Sequence, residues 1–304
     1  MSGAVPGTGT AGPPEGVPAR YVAGLPQPER TLVMGVVNVT PDSFSDGGAW
    51  YEPRDAVDHG LQLVAEGADL VDVGGESTRP GAQRPSLDEE LRRVVPVVRE
   101  LAAAGAVVSV DTMRAAVAGQ ALDAGAALVN DVSGGQADPD MLRVVAAGQA
   151  PVVLMHWRGH SADMQKRTTY DDVVADVVAE LRPRVDAALD AGIQPDRIAV
   201  DPGLGFAKTW DHNWTLLRRL DEIVALDYPV LVAASRKTFL GVLLADPDTG
   251  ERRAPTGRDA ATDALSTTAA MRRSWCVRVH TVPATLDAVR VAARLGAEPV
   301  GPLR

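Results

Sequence analysis

Cysteine occurs once in the chain of 304 residues, at Cys276. A single thiol excludes an internal disulfide framework and a cysteine-based zinc site; it fits a reducing cytoplasm and reads as a small buried hydrophobe. Histidine is scarce too, with five copies and no HExxH motif, so a tightly held zinc is not expected. Aromatic residues make up 4%, and a core must therefore be assembled from the abundant Ala, Val, Leu and Gly. Long apolar runs are missing: no window approaches the roughly eighteen residues of a membrane span. Residues 1–20, MSGAVPGTGTAGPPEGVPAR, lack the basic start and apolar stretch of a signal peptide. They read as a disordered tail, taken to residue 25, ahead of one domain over residues 26–304. Positive charge is in deficit, with 30 Lys and Arg against 40 Asp and Glu and a net charge of −10. That balance argues against general affinity for nucleic acid or an anionic membrane, while leaving room for a local basic pocket.

Apolar residues reach 45% and charged residues 23%, an ordinary balance for a chain with a sizeable core. Eight short Val-rich runs recur from residue 30 onward: LVMGVVNV, LVDVGG, VVSVD, LVNDVSG, PVVLMH, IAVDPG, PVLVAAS and CVRVHT. None alternates strictly between apolar and polar residues, so both faces of each strand are expected to be covered, as in a parallel sheet flanked by helices. Between the runs lie segments of helical period at 52–67, 86–105, 114–125, 138–148, 170–192 and 211–226, with two more near 258–273 and 284–295. Ser86 and Glu89 form the pattern of a capping box, and Gly105 stands where a C-cap glycine belongs. Alternation of this kind predicts an α/β fold, a single-domain (β/α)8 TIM barrel. A doubly wound sheet competes less well because no GxGxxG opening is present.

A barrel gathers functional groups at the C-terminal ends of its strands. The expected exits bring Asn38, the GGESTRPGA segment, Asp111, Asn130 with Asp131, His156, Asp201, the SRK turn at 235–237 and the RVH triplet at 278–280. After strand one, NVTPDSFSDGG (38–48) is longer than a plain turn, which points to a purpose beyond connection. Asp111 and Asp201 each follow Val, so both carboxylates are expected at the rim of the mouth, partly shielded from water. A carboxylate there can accept two parallel N–H bonds from a guanidine-like edge. Either aspartate alone reads equally as a helix N-cap. Recurrence with Asn130 and Lys237 favours a ligand role, because a flat heterocycle rich in donors and acceptors needs such a set. Arg278 and His280 are two apart and share a strand face. With Arg79, and with Arg236 and Lys237 near the usual phosphate position of barrels, they suggest a polyanion site. Arg236 or Lys237 alone fits a surface charge on a snorkelling stem equally well. Mg2+ suits these exits better than zinc, since it keeps several waters and is often held by one protein group plus substrate phosphates; Asn38 is such a group.

The motifs NVTPDSFSDGG, VDVGGESTRPGA, SVDT, NDVSGG, DPGLGFAK, SRKTFLG and RVH occur together in this order. In that combination the chain resembles the dihydropteroate synthase family, in its bacterial, monofunctional form, over residues from about 31 to 295. The resemblance implies a transferase of folate biosynthesis. It would condense 6-hydroxymethyl-7,8-dihydropterin pyrophosphate with para-aminobenzoate, giving 7,8-dihydropteroate and pyrophosphate by a dissociative substitution. It also implies a pterin pocket of Asp111, Asn130, Asp201 and Lys237, walled by Met155 and Phe206. The implied diphosphate site comprises Asn38, Thr78, Arg79, Arg278 and His280, with Asn38 near Mg2+. Para-aminobenzoate falls to Phe44, Pro80, Ser235 and Arg236, where sulfonamides would compete. Catalysis is expected of Asp111, Lys237, Arg79 and Phe44, the last on a mobile lid whose Gly47 and Gly48 permit unusual dihedrals. Small-molecule substrates, a cytoplasmic location and a homodimer through the helix near 258–273 complete the expectation.

Two departures from the family pattern stand out: Thr281 follows RVH where the family usually has Asp, and HWRGH after strand five differs from common forms. Residues 246–259, DPDTGERRAPTGRD, read as a long flexible insertion. Pterin-dependent methyltransferases and an inactive pterin-binding paralogue are the rival readings. STRP, SRK and RVH speak against the first, and the intact loop motifs against the second.

Overall fold

The Val-rich runs become short parallel strands: β1 (Leu32–Asn38), β2 (Leu70–Gly74), β3 (Val108–Asp111), β4 (Leu128–Asp131), β5 (Val152–Met155), β6 (Ile198–Asp201), β7 (Leu231–Val232) and β8 (Cys276–Val279). They pair in the order β6-β5-β4-β3-β2-β1-β8-β7, and a parallel bridge from Val200 to Val230 joins the ends into a (β/α)8 barrel. The computed structural model describes residues 21–40, 53–77, 84–160 and 166–296. Expectations placed on the tail over 1–20 and on Phe44, Gly47, Gly48, Thr78, Arg79 and Pro80 lie outside the described residues.

Helices α1 (Pro53–Ala65), α2 (Leu87–Ala103), α3 (Ala115–Asp123), α4 (Met141–Ala147) and α5 (Val173–Asp190) follow the first five strands. After β6 come α6 (Trp210–Arg218) and α7 (Leu220–Val224), where one helix over 211–226 was expected; the chain breaks at Arg219. α8 (Thr238–Leu243), absent from the expected set, follows β7, and α9 (Asp259–Met271) and α10 (Val282–Gly296) flank β8. Ser86 Oγ caps α2 by accepting Glu89 N–H at 3.2 Å. The Glu89 side chain does not complete the expected capping box, being drawn instead to Arg92 and Arg93. Gly105 lies just past the C-cap Ala104 with φ of 88°, a left-handed turn that glycine adopts without a Cβ penalty. Among the described residues no helix is long and apolar enough to cross a membrane.

Alternation along the strands divides the apolar residues between two cores. Leu32, Met34, Leu70, Leu128, Val153, Ala199, Leu231 and Cys276 fill the barrel floor. Their neighbours Val33, Val71, Val110, Val129, Val152 and Val200 pack with helix residues in the outer layer. Strands covered on both faces need no polar alternation, which is why the runs are nearly all apolar. Each fully buried Val or Leu contributes about 1.5–3 kcal/mol. Val22 and Leu25 join the floor, and Ala23 N–H donates to Asp196 O at 2.8 Å. Residues 21–25 are therefore packed against the barrel, which corrects the placement of the tail's end at residue 25.

Candidate active site at the mouth of the barrel

Above the apolar floor the inward positions turn polar, and strand register decides which residues meet. Asp72 of β2 is paired with Ser109 of β3, Gly74 with Asp111, and Asp111 with Asn130 of β4. Arg278 of β8 reaches across this group. Its Nε donates to Asp72 Oδ2 at 2.6 Å and its Nη2 to Asp111 Oδ2 at 3.0 Å. Asn130 Nδ2 donates to the same Asp72 oxygen at 3.0 Å. Asp111, Asn130 and Arg278, each expected from sequence, are thus one network, joined through an aspartate that sequence reading passed over. The available signal was complementary charge within two apolar runs, Asp72 in LVDVG and Arg278 in CVRV.

Burial pushes the Asp111 carboxyl up to about 8; Arg278 opposes the rise, and Asp72, Glu76 and Glu90 add to it. Asp201, at the end of β6 and 3% exposed, is more shielded than the rim position expected of it. Its carboxyl is also raised by burial, against the pull of Lys237, and its Oδ1 accepts Gly203 N–H at 2.6 Å. Lys237 is lowered by burial to about 8 despite the neighbouring Asp201. Its ammonium donates to Leu204 O and lies 4.9 Å from the centre of the Phe206 ring. Met155 and Phe206, the expected apolar walls, pack in one cluster with Met113 and Val132. A flat ligand with a hydrogen-bonding edge fits this combination of apolar walls and buried carboxylates.

At the exits of β7 and β8, Ser235 Oγ and His280 Nδ1 are 2.9 Å apart, and His280 N–H donates to Ser235 Oγ at 3.2 Å. Arg236 has φ of 57°, a left-handed conformation that costs a non-glycine residue about 1–2 kcal/mol. It is held by Arg258 Nη1 donating to Arg236 O at 2.7 Å and by Arg236 N–H donating to Thr262 Oγ1 at 3.2 Å. The Arg236 guanidinium is paired with Asp259 and donates to Thr281 Oγ1 at 3.2 Å. Its charge is therefore shared with Asp259 inside the protein. Residues 246–259, expected as a flexible insertion, contain a 3-10 turn at Pro255–Arg258 and bond back to α8 through Arg253 N–H to Gly241 O at 3.2 Å. Asn38 closes β1 in register with Gly74.

Behind the β5 and β6 exits lies a second buried network. His156 is fully buried; Lys208 Nζ is 3.0 Å from its Nδ1 and Glu180 Oε2 is 3.0 Å from its Nε2. Burial and Lys208 push the imidazole down to about 3, so it is neutral and holds the loop after β6. Arg184 donates to Met155 O and Trp157 O at 2.6 Å each, fixing the exit of β5. Lys208, though part of DPGLGFAK, was not singled out in the sequence, and Glu180 and Arg184 gave no signal there, because the partners that define their roles lie on other elements.

The barrel and its site define a class of protein: residues 34–280 match the family described as pterin binding enzyme. Dihydropteroate synthase of Mycobacterium leprae is 56% identical over 260 residues, covering 85% of this chain and 91% of that one. The Xanthomonas albilineans dihydropteroate synthase, solved with 4-aminobenzoic acid, superposes with a TM-score of 0.81 at 46% identity, covering 89% of this chain and 94% of that one. The Yersinia pestis enzyme, solved in complex with a sulfonamide drug, gives a TM-score of 0.84 at 39% identity, covering 90% and 98% of the two chains. The chain belongs to the dihydropteroate synthase family.

Proposed function

We propose that the protein condenses 6-hydroxymethyl-7,8-dihydropterin pyrophosphate with para-aminobenzoate, releasing 7,8-dihydropteroate and pyrophosphate. The observation that carries this reading is the Asp72–Arg278–Asp111 bridge beside Asn130, which sets acceptors for a heterocycle edge next to a guanidinium. Asp201 and Asn130 bind the polar edge of the pterin between Met155 and Phe206, with Lys237 on the Phe206 side. Arg278 and His280 take the diphosphate. The C–O bond breaks with its electron pair leaving on pyrophosphate, and the electron-rich dihydropterin carries the resulting positive charge. Asp111, in its ionised form, stabilises that cation electrostatically. The arylamine nitrogen then attacks and gives up its surplus proton to the released pyrophosphate; neutral at pH 7, it needs placement by Ser235 and the Arg236 turn more than it needs a dedicated protein base.

Among the described residues no group of three or more His, Cys, Asp and Glu side chains can hold a metal. The neutral amide of Asn38, at the end of β1, suits an ion that brings its own waters and is shared with substrate phosphates, as Mg2+ does. When bound, Mg2+ would neutralise charge on the departing pyrophosphate. The same reading makes sulfonamides competitors of para-aminobenzoate and places the protein in the cytoplasm. It also makes the protein a homodimer through the α9 face, supported by exposed Leu243, Met271, Val291 and Leu295 on α8 to α10. Sedimentation velocity would test the dimer; a monomer at micromolar concentration would overturn it.

The test of the reaction is a Mg2+-dependent assay with both substrates, detecting dihydropteroate by mass. Product that Asp201→Ala abolishes is expected. Dihydropterin binding without product would overturn the reaction while keeping the ligand site.

A further inference from the structure

Asp72 lies in the middle of β2, fully buried, and its carboxylate meets two residues of the site at once. Oδ2 accepts from Arg278 Nε at 2.6 Å and from Asn130 Nδ2 at 3.0 Å. Oδ1 has no partner among the described residues, and neither does the buried Oγ of Ser109, its register neighbour on β3. Such an arrangement is a poor device for stability. Well-packed apolar residues in place of a buried ion pair are often neutral or stabilising, and an unpaired buried polar atom costs about 1–3 kcal/mol.

Orientation is what the arrangement accomplishes. An amide whose nitrogen is drawn to a carboxylate turns its oxygen away from that carboxylate, so Asn130 is fixed as an acceptor on its opposite side. A guanidinium held at Nε by Asp72 and at Nη2 by Asp111 has its plane set, and Nη1 is left with no protein partner among the described residues. Asn130 belongs to the pterin half of the site and Arg278 to the diphosphate half.

We propose that Asp72 is a positioning residue that holds Asn130 and Arg278 through one carboxylate, so that the heterocycle and its leaving group are aligned together. This rests on the reading of the site given above and adds to it a residue that touches neither substrate. It also makes Asp72 part of the field at Asp111, which is faced by Arg278 from β8, Asp72 and Glu76 from the β2 side, Glu90 from α2, and Lys237 from the start of α8.

The test is steady-state kinetics of Asp72→Asn across pH, with the wild-type turnover measured first so that failure of the reaction itself is seen separately. Misalignment of this kind is expected to lower kcat/KM for the dihydropterin pyrophosphate on the order of 10- to 100-fold. The KM for para-aminobenzoate stays unmoved. The acid limb of the pH profile shifts downward, since a negative charge that raises Asp111 is gone. Wild-type kinetics in the variant would overturn the proposal, as would a loss that raises both KM values alike and leaves the acid limb in place. A second measurement needs no variant to fold and no turnover: side-chain amide exchange of Asn130 in the wild-type protein. One slowly exchanging, downfield-shifted proton supports the lock on Asp72, and two rapidly exchanging protons overturn it.

Discussion

Arg236 and Asp259 meet fork to fork, Nε to Oδ1 at 2.7 Å and Nη2 to Oδ2 at 2.9 Å, and the Thr281 hydroxyl donates to Asp259 Oδ2 at 3.0 Å. Thr281 stands where the family pattern usually has Asp, so the carboxylate beside Arg236 comes here from the start of α9 and not from the exit of β8. Asp259→Asn is expected to raise the KM for para-aminobenzoate roughly tenfold, the equivalent of about 1.5 kcal/mol for one charge-assisted hydrogen bond. The KM for the pterin substrate should hold. Adding a carboxylate back in Asp259→Ser/Thr281→Asp should recover most of the loss; no recovery would show that Asp259 acts by another route.

Asp201 is the buried acceptor at the end of β6. Asp201→Ala removes a charge-assisted partner worth about 1.5–3 kcal/mol per hydrogen bond, so pterin affinity should fall 100-fold or more. Calorimetry with 6-hydroxymethylpterin checks this, and unchanged affinity would refute the assignment of Asp201 to the pterin.

Activity should follow a narrow bell in pH. Asp111, raised to about 8, must lose its proton to stabilise a cation, and Lys237, lowered to about 8, loses its ammonium above that. The two limbs belong to the coupled set. In kcat/KM for the pterin substrate, Asp111→Asn should remove the acid limb and Lys237→Arg the alkaline one. Stability runs the opposite way: a carboxyl raised in the folded state contributes stability that is present at low pH and lost as pH rises from about 3.8 to about 8. The melting temperature of Asp111→Asn should therefore gain on that of the wild type across this window.

Gly203 has φ of 68°, and a Cβ there would stand 2.3 Å from His156 O, a backbone atom that cannot swing aside. Gly203→Ala should displace the loop that carries Leu204 and Phe206, lowering pterin affinity at least tenfold. Strain of about 1–2 kcal/mol from the left-handed conformation alone should depress the melting temperature by several degrees. Calorimetry and thermal unfolding check both effects.

Asn38→Ala should weaken binding of the diphosphate substrate only when Mg2+ is present. Titrating Mg2+ into the assay tests this: an unaltered Mg2+ dependence would place the ion elsewhere.

Much of this protein was legible before any coordinates. Eight apolar runs without alternation could be read as buried parallel strands because strand formation and two-sided burial leave a local pattern. The polar exits marked the mouth for the same reason, so Asn38, Asp111, Asn130, Asp201, Lys237 and Arg278 were all found at strand ends or in the turns after them. Partner choice left no such trace. Asp72 and Arg278 are 206 residues apart and meet because β8 closes the ring beside β1. That Arg236 would pair with Asp259 of α9, and His156 with Lys208 and Glu180, could not be read before the elements were packed together. The sequence by itself determined the strands, their order of function around the mouth and the family. Tertiary structure alone decided which charges are spent on each other and which remain for a ligand, since that depends on distances set by barrel closure.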